Sequence, residues 1–292
     1  MNERPDQSPL TSARSERVKK VAALAGRSAR RKQGRFRIEG PQSARSLLAH
    51  RPELALEVFV TERAAVDHPE LVELADAAGV PVRTVDEQIL RALVREGADA
   101  SDASAGTLVS PQGVVAVGAL PAETPDATRT ALEALPADGA LTVVVLHEVR
   151  DPGNVGTLIR TADAAGADLV LLTRTSADPY SPKAVRAAVG SLFHLPVLTG
   201  AVIEDLLSQL AATSITAAAT SGYADSELFT VELPARIAWI LGNEARGLDE
   251  ATLAAAPLTV RIPLAGHAES LNVHTAATVC LFETLRRRRA GA

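Results

Sequence analysis

An α/β chain of two domains, the second built on a parallel sheet, is what this 292-residue sequence predicts. Three observations carry that expectation. In the second half, short and nearly continuous apolar runs recur between helix-patterned stretches, as strands buried on both faces do. In the first half, strands and helices also alternate, over about 100 residues, as in a small α/β sandwich. Between the two, Ala119 to Gly139 carries three prolines and few large apolar residues and reads as a linker, with one short helix at Thr128 to Leu135. The expected division is a disordered polar tail over 1–12, a first domain over 13–118, a linker over 119–139 and a second domain over 140–292.

Apolar residues make up 47% and charged residues 22%, enough to build substantial cores. The single cysteine, Cys280, sits in an apolar helical pattern and excludes both a disulfide framework and a cysteine-based zinc site; no metal is called for. No secretory h-region opens the sequence and no run is long enough to span a membrane, so a cytoplasmic protein is expected. The net charge of -5 conceals an asymmetry: residues 1–50 hold 12 Lys+Arg against 4 Asp+Glu, and the remainder 18 against 31. A basic segment on an acidic body points to a local contact with a polyanion.

That segment comes early. Val18, Val21, Ala22 and Leu24 recur at helical spacing within Ala13 to Arg31, and a short strand follows from Arg35 to Ile38. Arg27, Arg30, Arg31, Lys32, Arg35 and Arg37 place six cations in eleven residues with no acid among them. A solvated face is the alternative to a nucleic-acid contact, but unscreened cations so dense repel one another without a partner. Helix follows over Gln42 to His50, strand over Leu56 to Thr61, helix over Pro69 to Gly79 and strand over Val82 to Val85. Asp86 then caps a helix to Arg95, Gly97 to Gly106 forms a small-residue loop, and Gly113 to Gly118 is a strand.

Five strands are expected beyond the linker: Leu141–Leu146, Asp168–Thr173, Ile215–Ala219, Ile237–Leu241 and Leu258–Ile262, with Leu195–Thr199 as a sixth. Ligands of parallel sheets bind beyond the carboxyl ends of strands, and three loops there are unusual. The first is Asp151-Pro152-Gly153-Asn154-Val155-Gly156, opening a helix that runs to a C′ glycine at Gly166 and carries Arg160 behind the turn. The second is Gly242-Asn243-Glu244-Ala245-Arg246-Gly247-Leu248. The third runs from Ile262-Pro263-Leu264 to Ser270-Leu271-Asn272-Val273-His274, where Ser270 is expected to cap a helix whose core face is Val279, Phe282 and Leu285. Taken singly, each loop is ordinary tight-turn chemistry. None is a Walker motif or a full dinucleotide fingerprint, which disfavours a nucleotide-dependent dehydrogenase. A further stretch offers Lys183 and Arg186 on adjacent helical turns, as surface charges or as part of a phosphate track.

In this order and spacing, Asn154-Val155-Gly156 with Arg160-Thr161-Ala162, Leu241 to Leu248, and Ile262-Pro263-Leu264 with Ser270 to Val273 closely resemble the SpoU (TrmH-like) branch of the SPOUT RNA methyltransferases. Gly34 to Gly40 and Ser110 to Val117 resemble that family's substrate-binding domain, an α/β fold like certain ribosomal proteins, so the resemblance covers nearly the whole chain from about Ala13. It implies a deep trefoil knot in the second domain, a homodimer formed through it, and S-adenosyl-L-methionine as cofactor. By motif matching, Ala219, Thr220, Leu241, Gly242, Asn243, Glu244, Ile262, Pro263, Leu264, Ser270, Leu271 and Asn272 would line the cofactor site, mainly through backbone atoms. Arg160, Asn154, Glu244 and Asn272 would serve catalysis, and Arg30, Arg31, Lys32, Arg35, Arg37, Lys183 and Arg186 would contact RNA.

The implied reaction moves the sulfonium methyl to a ribose 2′-hydroxyl of structured RNA, ribosomal before transfer RNA. A guanidinium is always protonated, so Arg160 is expected to clamp a phosphate and stabilise the developing oxyanion rather than act as a base. Glu244 is the alternative proton acceptor, and His274 departs from the small residue that many relatives carry there. Rival readings are a methyltransferase acting on transfer RNA or on a base nitrogen, and a non-catalytic RNA-binding assembly factor.

Overall fold

The structure, a computed structural model, describes residues 10, 12–95, 112–122, 124 and 126–290. Apart from Leu10 and Ser12, the tail expected over 1–12 lies outside the described residues, as does the loop expected over Gly97 to Gly106. The chain divides into two compact units, one drawn from Met1–Pro121 with Tyr180–His194, the other from Ala122–Pro179 with Leu195–Ala292. Residues 180–194 thus belong with the first unit, although the sequence places them inside the second half.

In the first unit the elements are α1 (Glu16–Ala22), α2 (Arg27–Gln33), β1 (Arg35–Glu39), α3 (Pro41–His50), β2 (Ala55–Val60), α4 (Glu62–Asp67), α5 (Pro69–Ala77), β3 (Val82–Thr84), α6 (Glu87–Leu93) and β4 (Val114–Ala119). The continuous helical pattern expected over Ala13 to Arg31 is broken. Ser15 caps α1 by accepting from the Val18 N–H at 3.3 Å, and a 3-10 turn over Ala23–Ala25 leads to an extended Gly26. The sheet runs β1-β4-β2-β3, with only β2–β3 parallel. On one face Val18, Val21 and Leu24 pack with Ile89, Leu90 and Leu93 against Phe59, Val115 and Val117. Phe36 of β1 meets Tyr180 and Phe193, with ring centroids 4.9 and 6.3 Å away.

The second half of the chain adds α7 (Ala127–Glu133), β5 (Leu141–Leu146), α8 (Pro152–Ala164), β6 (Leu169–Thr173), α9 (Pro182–Ala188), β7 (Val197–Ala201), α10 (Ile203–Ala212), β8 (Thr216–Thr220), β9 (Ser226–Glu227), β10 (Arg236–Leu241), α11 (Glu250–Ala255), β11 (Leu258–Arg261) and α12 (Val273–Ala290). Of these, α9 belongs with the first unit. The seven strands form one parallel sheet in the order β7-β6-β5-β10-β8-β11-β9. All six expected strands are present, Leu141–Leu146 with both ends as expected and the others with ends shifted by at most two residues, and β9 is additional. Two residues are too short to carry a periodicity; Glu227 of β9 is held by Arg261 of β11 at 2.6 Å.

All six residues of β5 are buried, which explains why its sequence shows no alternation. Val143, Val145, Ala238 and Ile240 turn to a core shared with Leu206 and Leu210 of α10. On the other face Trp239, fully buried, donates its indole N–H to Thr284 Oγ1 of α12 at 3.0 Å. That contact corrects the expected core face of α12. Ala277, Cys280, Leu281 and Thr284 are buried, whereas Phe282 is 43% exposed and Val279 and Leu285 are half-buried.

Candidate active site

Parallel register brings the carboxyl ends of four neighbouring strands level. Leu146 pairs with Leu241, Ile240 with Ala219, and Thr220 with Val260. All three loops singled out in the sequence therefore leave one end of the sheet, beside one another.

The first two loops are tied together. Asp151 caps α8, its Oδ1 accepting from the Asn154 N–H at 3.0 Å, and Pro152 supplies the preset first helical residue. Glu244 reaches across to the same turn. Its carboxylate accepts from the N–H groups of Arg150 and Asp151 at 3.1 and 3.0 Å and from Asn154 Nδ2 at 3.1 Å. Desolvation works to raise its pKa, but these bonds together prevail and hold it below the usual carboxylate value. An acid so bonded is a poor proton acceptor, and Glu244 is the clamp that joins the two loops.

The second loop is built by backbone. Asn243 and Gly247 exchange two hydrogen bonds at 3.0 and 2.9 Å, with Gly247 at φ +69°. Asn243 Oδ1 accepts from the N–H groups of Ala245 and Arg246, while its Nδ2 donates to the Glu148 carbonyl at 2.9 Å. A Cβ on Gly242 would meet the Gly247 carbonyl carbon at 2.5 Å and the Leu248 nitrogen at 2.6 Å, so only glycine fits that crossing. Arg246 pairs with Glu148 at 2.7 Å. Sequence reading missed Glu148, whose role depends on a φ of +57° that no motif announces.

In the third loop Asn272, not Ser270, caps α12. The Asn272 carbonyl accepts the first helical bond, from Ala276 at 2.9 Å, and its Oδ1 accepts from the His274 N–H at 2.8 Å. Ser270 lies upstream, exposed. His274 Nε2 lies 2.9 Å from Thr161 Oγ1 and fastens this loop to α8 next to Arg160. Arg160 itself is exposed, and among the described residues its side chain makes no hydrogen bond or ion pair.

The expected cofactor residues divide by what their side chains do. Ala219 and Leu241 are fully buried, and Thr220 spends its hydroxyl on the Ile240 carbonyl at 3.0 Å. Leu264 and Leu271 are 40% and 37% exposed, and Ile262 and Pro263 half-buried. Among the described residues no backbone hydrogen bond is donated by the N–H groups between Ile262 and Leu271. Unspent amides beside exposed leucines match a ligand with both polar and apolar parts.

The expected RNA cations divide as well, and two are corrected. Arg30 is 2% exposed and donates to the carbonyls of Leu24 and Ala25 at 2.9 and 2.7 Å, closing the 3-10 turn. Arg37 is fully buried, bonded to Glu39 at 2.9 Å and to the Leu93 carbonyl at 2.8 Å. Neither guanidinium faces solvent. Arg186 pairs with Glu39 at 2.9 Å, while Arg31, Lys32, Arg35 and Lys183 are exposed.

Known proteins match along the same lines. Residues 141–282 match the SpoU rRNA Methylase family, and residues 37–99 match the RNA 2'-O ribose methyltransferase substrate binding domain. The 23S rRNA (uridine(2479)-2'-O)-methyltransferase of Streptomyces viridochromogenes is 32% identical over 99% of this chain and 96% of its own. The 23S rRNA (guanosine(2553)-2'-O)-methyltransferase of Bacillus subtilis is 30% identical over 94% and 97%. An AdoMet-bound rRNA methyltransferase from Sinorhizobium meliloti superposes with a TM-score of 0.78 at 29% identity, covering 97% of this chain and 99% of that one. The SpoU methyltransferase AviRb of Streptomyces viridochromogenes, solved with AdoMet, gives 0.77 at 28% identity, covering 96% and 100%. The chain belongs to the SpoU rRNA methylase family.

Proposed function

We propose that this chain methylates a ribose 2′-hydroxyl of ribosomal RNA, using S-adenosyl-L-methionine. The observation that carries the reading is the convergence of the three loops on one sheet end, with an exposed, unpaired Arg160 on the helix that two of them brace. Gly242, Ile262, Leu264 and Leu271 would hold the cofactor through backbone amides and apolar cover. The cofactor supplies an electrophilic methyl on an excellent leaving group.

The protein's share is positioning. Asp151, Asn154 and Glu244 lock the turn that starts α8, and His274 locks the last turn of that helix through Thr161. Arg160 is thereby presented from a rigid element, as a bidentate clamp for a phosphate and a stabiliser of the negative charge that develops on the 2′ oxygen. It stays protonated throughout. Glu244 is not the base, and the proton leaves to a substrate phosphate or solvent.

RNA would enter along Arg31, Lys32 and Arg35, with Lys183 as a further cation. Curated relatives modify uridine or guanosine in 23S rRNA, so the family scaffold serves more than one base, and ribosomal RNA is favoured over transfer RNA. A homodimer through the second unit is supported by the exposed Phe282 flanked by Val279 and Leu285 on α12. A trefoil knot and a cytoplasmic location complete the reading; among the described residues no helix is long and apolar enough to cross a membrane.

Transfer of a radiolabelled methyl from cofactor to an unmodified 23S rRNA transcript tests the proposal, with nucleoside mass analysis locating the methyl on ribose. Label on a base nitrogen, or none at all, overturns it. Sedimentation of the full chain tests the dimer.

A further inference from the structure

Thr220 at the end of β8 and Ser226 at the start of β9 both stand level with Val260 of β11. The five residues between them, 221–225, therefore cross β11 at its carboxyl end, where the chain continues into Ile262-Pro263-Leu264. This crossing is anchored on both sides. The Ser221 N–H donates to the Val260 carbonyl at 3.0 Å, and beyond the tip Ala224 is 7% exposed and Leu228 fully buried. At the tip the Tyr223 N–H donates to Ser221 Oγ at 3.2 Å, and its ring is 99% exposed.

Tyr223 is the most exposed of the large apolar side chains among the described residues, ahead of Phe229 at 52% and Phe282 at 43%. Aromatic residues are 3% of the sequence, and Trp239, Phe36, Phe59 and Phe193 are all buried in cores. Tyr223 contributes nothing to folding by burial, yet its backbone is fixed at the end of the sheet from which the three loops emerge. A flat face presented to solvent from an anchored backbone, with only two side-chain torsions to fix, is what a nucleobase stacks on without regard to its identity.

We infer that Tyr223 is a stacking platform for an RNA base next to the nucleotide that receives the methyl group. This rests on the methyltransferase reading above. Tyr223 thereby orients the substrate and takes no part in the chemistry.

The test is methyl transfer to a 23S rRNA transcript by the full chain, comparing wild type with Tyr223→Ala and Tyr223→Trp. Tyr223→Ala is expected to raise KM for RNA roughly 5- to 150-fold, the loss that follows removal of one base-stacking ring, with kcat nearly unchanged. Tyr223→Trp restores KM, while cofactor affinity measured without RNA and sedimentation behaviour match wild type in both variants. An unchanged KM for RNA overturns the inference. A fall in cofactor affinity for Tyr223→Ala overturns it in favour of a cofactor-lining ring, and a monomeric Tyr223→Ala variant in favour of an interface residue. Absence of methyl transfer by the wild type is instead a failure of the underlying reading.

Discussion

Asn154 and Glu244 are joined by a hydrogen bond of 3.1 Å across 90 residues of sequence. With the Arg150 and Asp151 amides on the same carboxylate, the pair makes the loop after β10 part of the start of α8. The clamp faces only donors, and this decides what substitution does. Glu244→Gln turns an amide N–H₂ toward them and is expected to lower stability by about 1 kcal/mol, a modest loss because the site is exposed. Methyl transfer is expected to drop further than stability, since the loops lose their mutual register. Thermal melting and methyl transfer on the same preparation check both; an unaffected rate means the clamp does not matter for the reaction.

Arg160→Ala removes a side chain that supports nothing in the fold. The variant is expected to melt with wild type and to bind the cofactor equally, while kcat falls by about 100-fold or more. Arg160→Lys recovers little of this, because an ammonium lacks the planar fork. Calorimetry with the cofactor, alongside single-turnover transfer, separates the two effects.

Replacing Gly242 by alanine forces a Cβ to 2.5 Å from the Gly247 backbone. Backbone on both sides leaves no flexible side chain to yield, so the bridge between Asn243 and Gly247 opens. The expected result is a loss of cofactor affinity of at least tenfold and about 1–3 kcal/mol of stability. Isothermal titration and denaturant unfolding measure them; wild-type cofactor affinity would show that the crossing tolerates a methyl group.

Arg30 and Arg31 are neighbours with opposite duties. Arg30→Ala leaves two carbonyls without their buried donor and is expected to cost about 2–4 kcal/mol in unfolding experiments. Neutralising Arg31, Lys32 and Arg35 together is expected to leave the melting temperature nearly unchanged and to flatten the salt dependence of RNA binding by about 2 in log–log slope. An unchanged slope assigns those three cations to a solvated face.

Glu283 supplies a pH dependence. Hydrogen bonds from Arg286 lead, burial opposes them, and Arg287 adds to them, holding the carboxyl down at about 2. A carboxyl depressed in the folded state contributes stability at neutral pH that is lost as pH falls from its ordinary value toward 2. Arg287 also donates to the carbonyls of Leu228 and Val231, so protonation loosens the end of α12 from that segment. Melting curves of wild type and Glu283→Gln are expected to differ at pH 7 and to converge toward pH 2. A constant gap would refute the linkage.

The α/β class, the six principal strands and the three loops were legible in the residues alone, because fully buried strands have no polar face to hide and glycine-rich loops show wherever they occur. Gly242 and Asn154 were legible for that reason, and the motifs around them identified the family. Tertiary structure decided which side chains were already spent. Arg30 and Arg37 read as part of one cationic run with Arg31 and Arg35, but the fold turns the first two inward onto carbonyls and Glu39. Ser270 has the chemistry of a cap, yet the chain enters α12 two residues later and Asn272 takes the position. Glu148 depends on a left-handed backbone, and Glu244 on a partner 90 residues away. Residue type and spacing report local preference; the burial and long-range partners that separate a clamp from a base, or a turn-closing arginine from an RNA contact, exist only once the sheet has brought distant segments together.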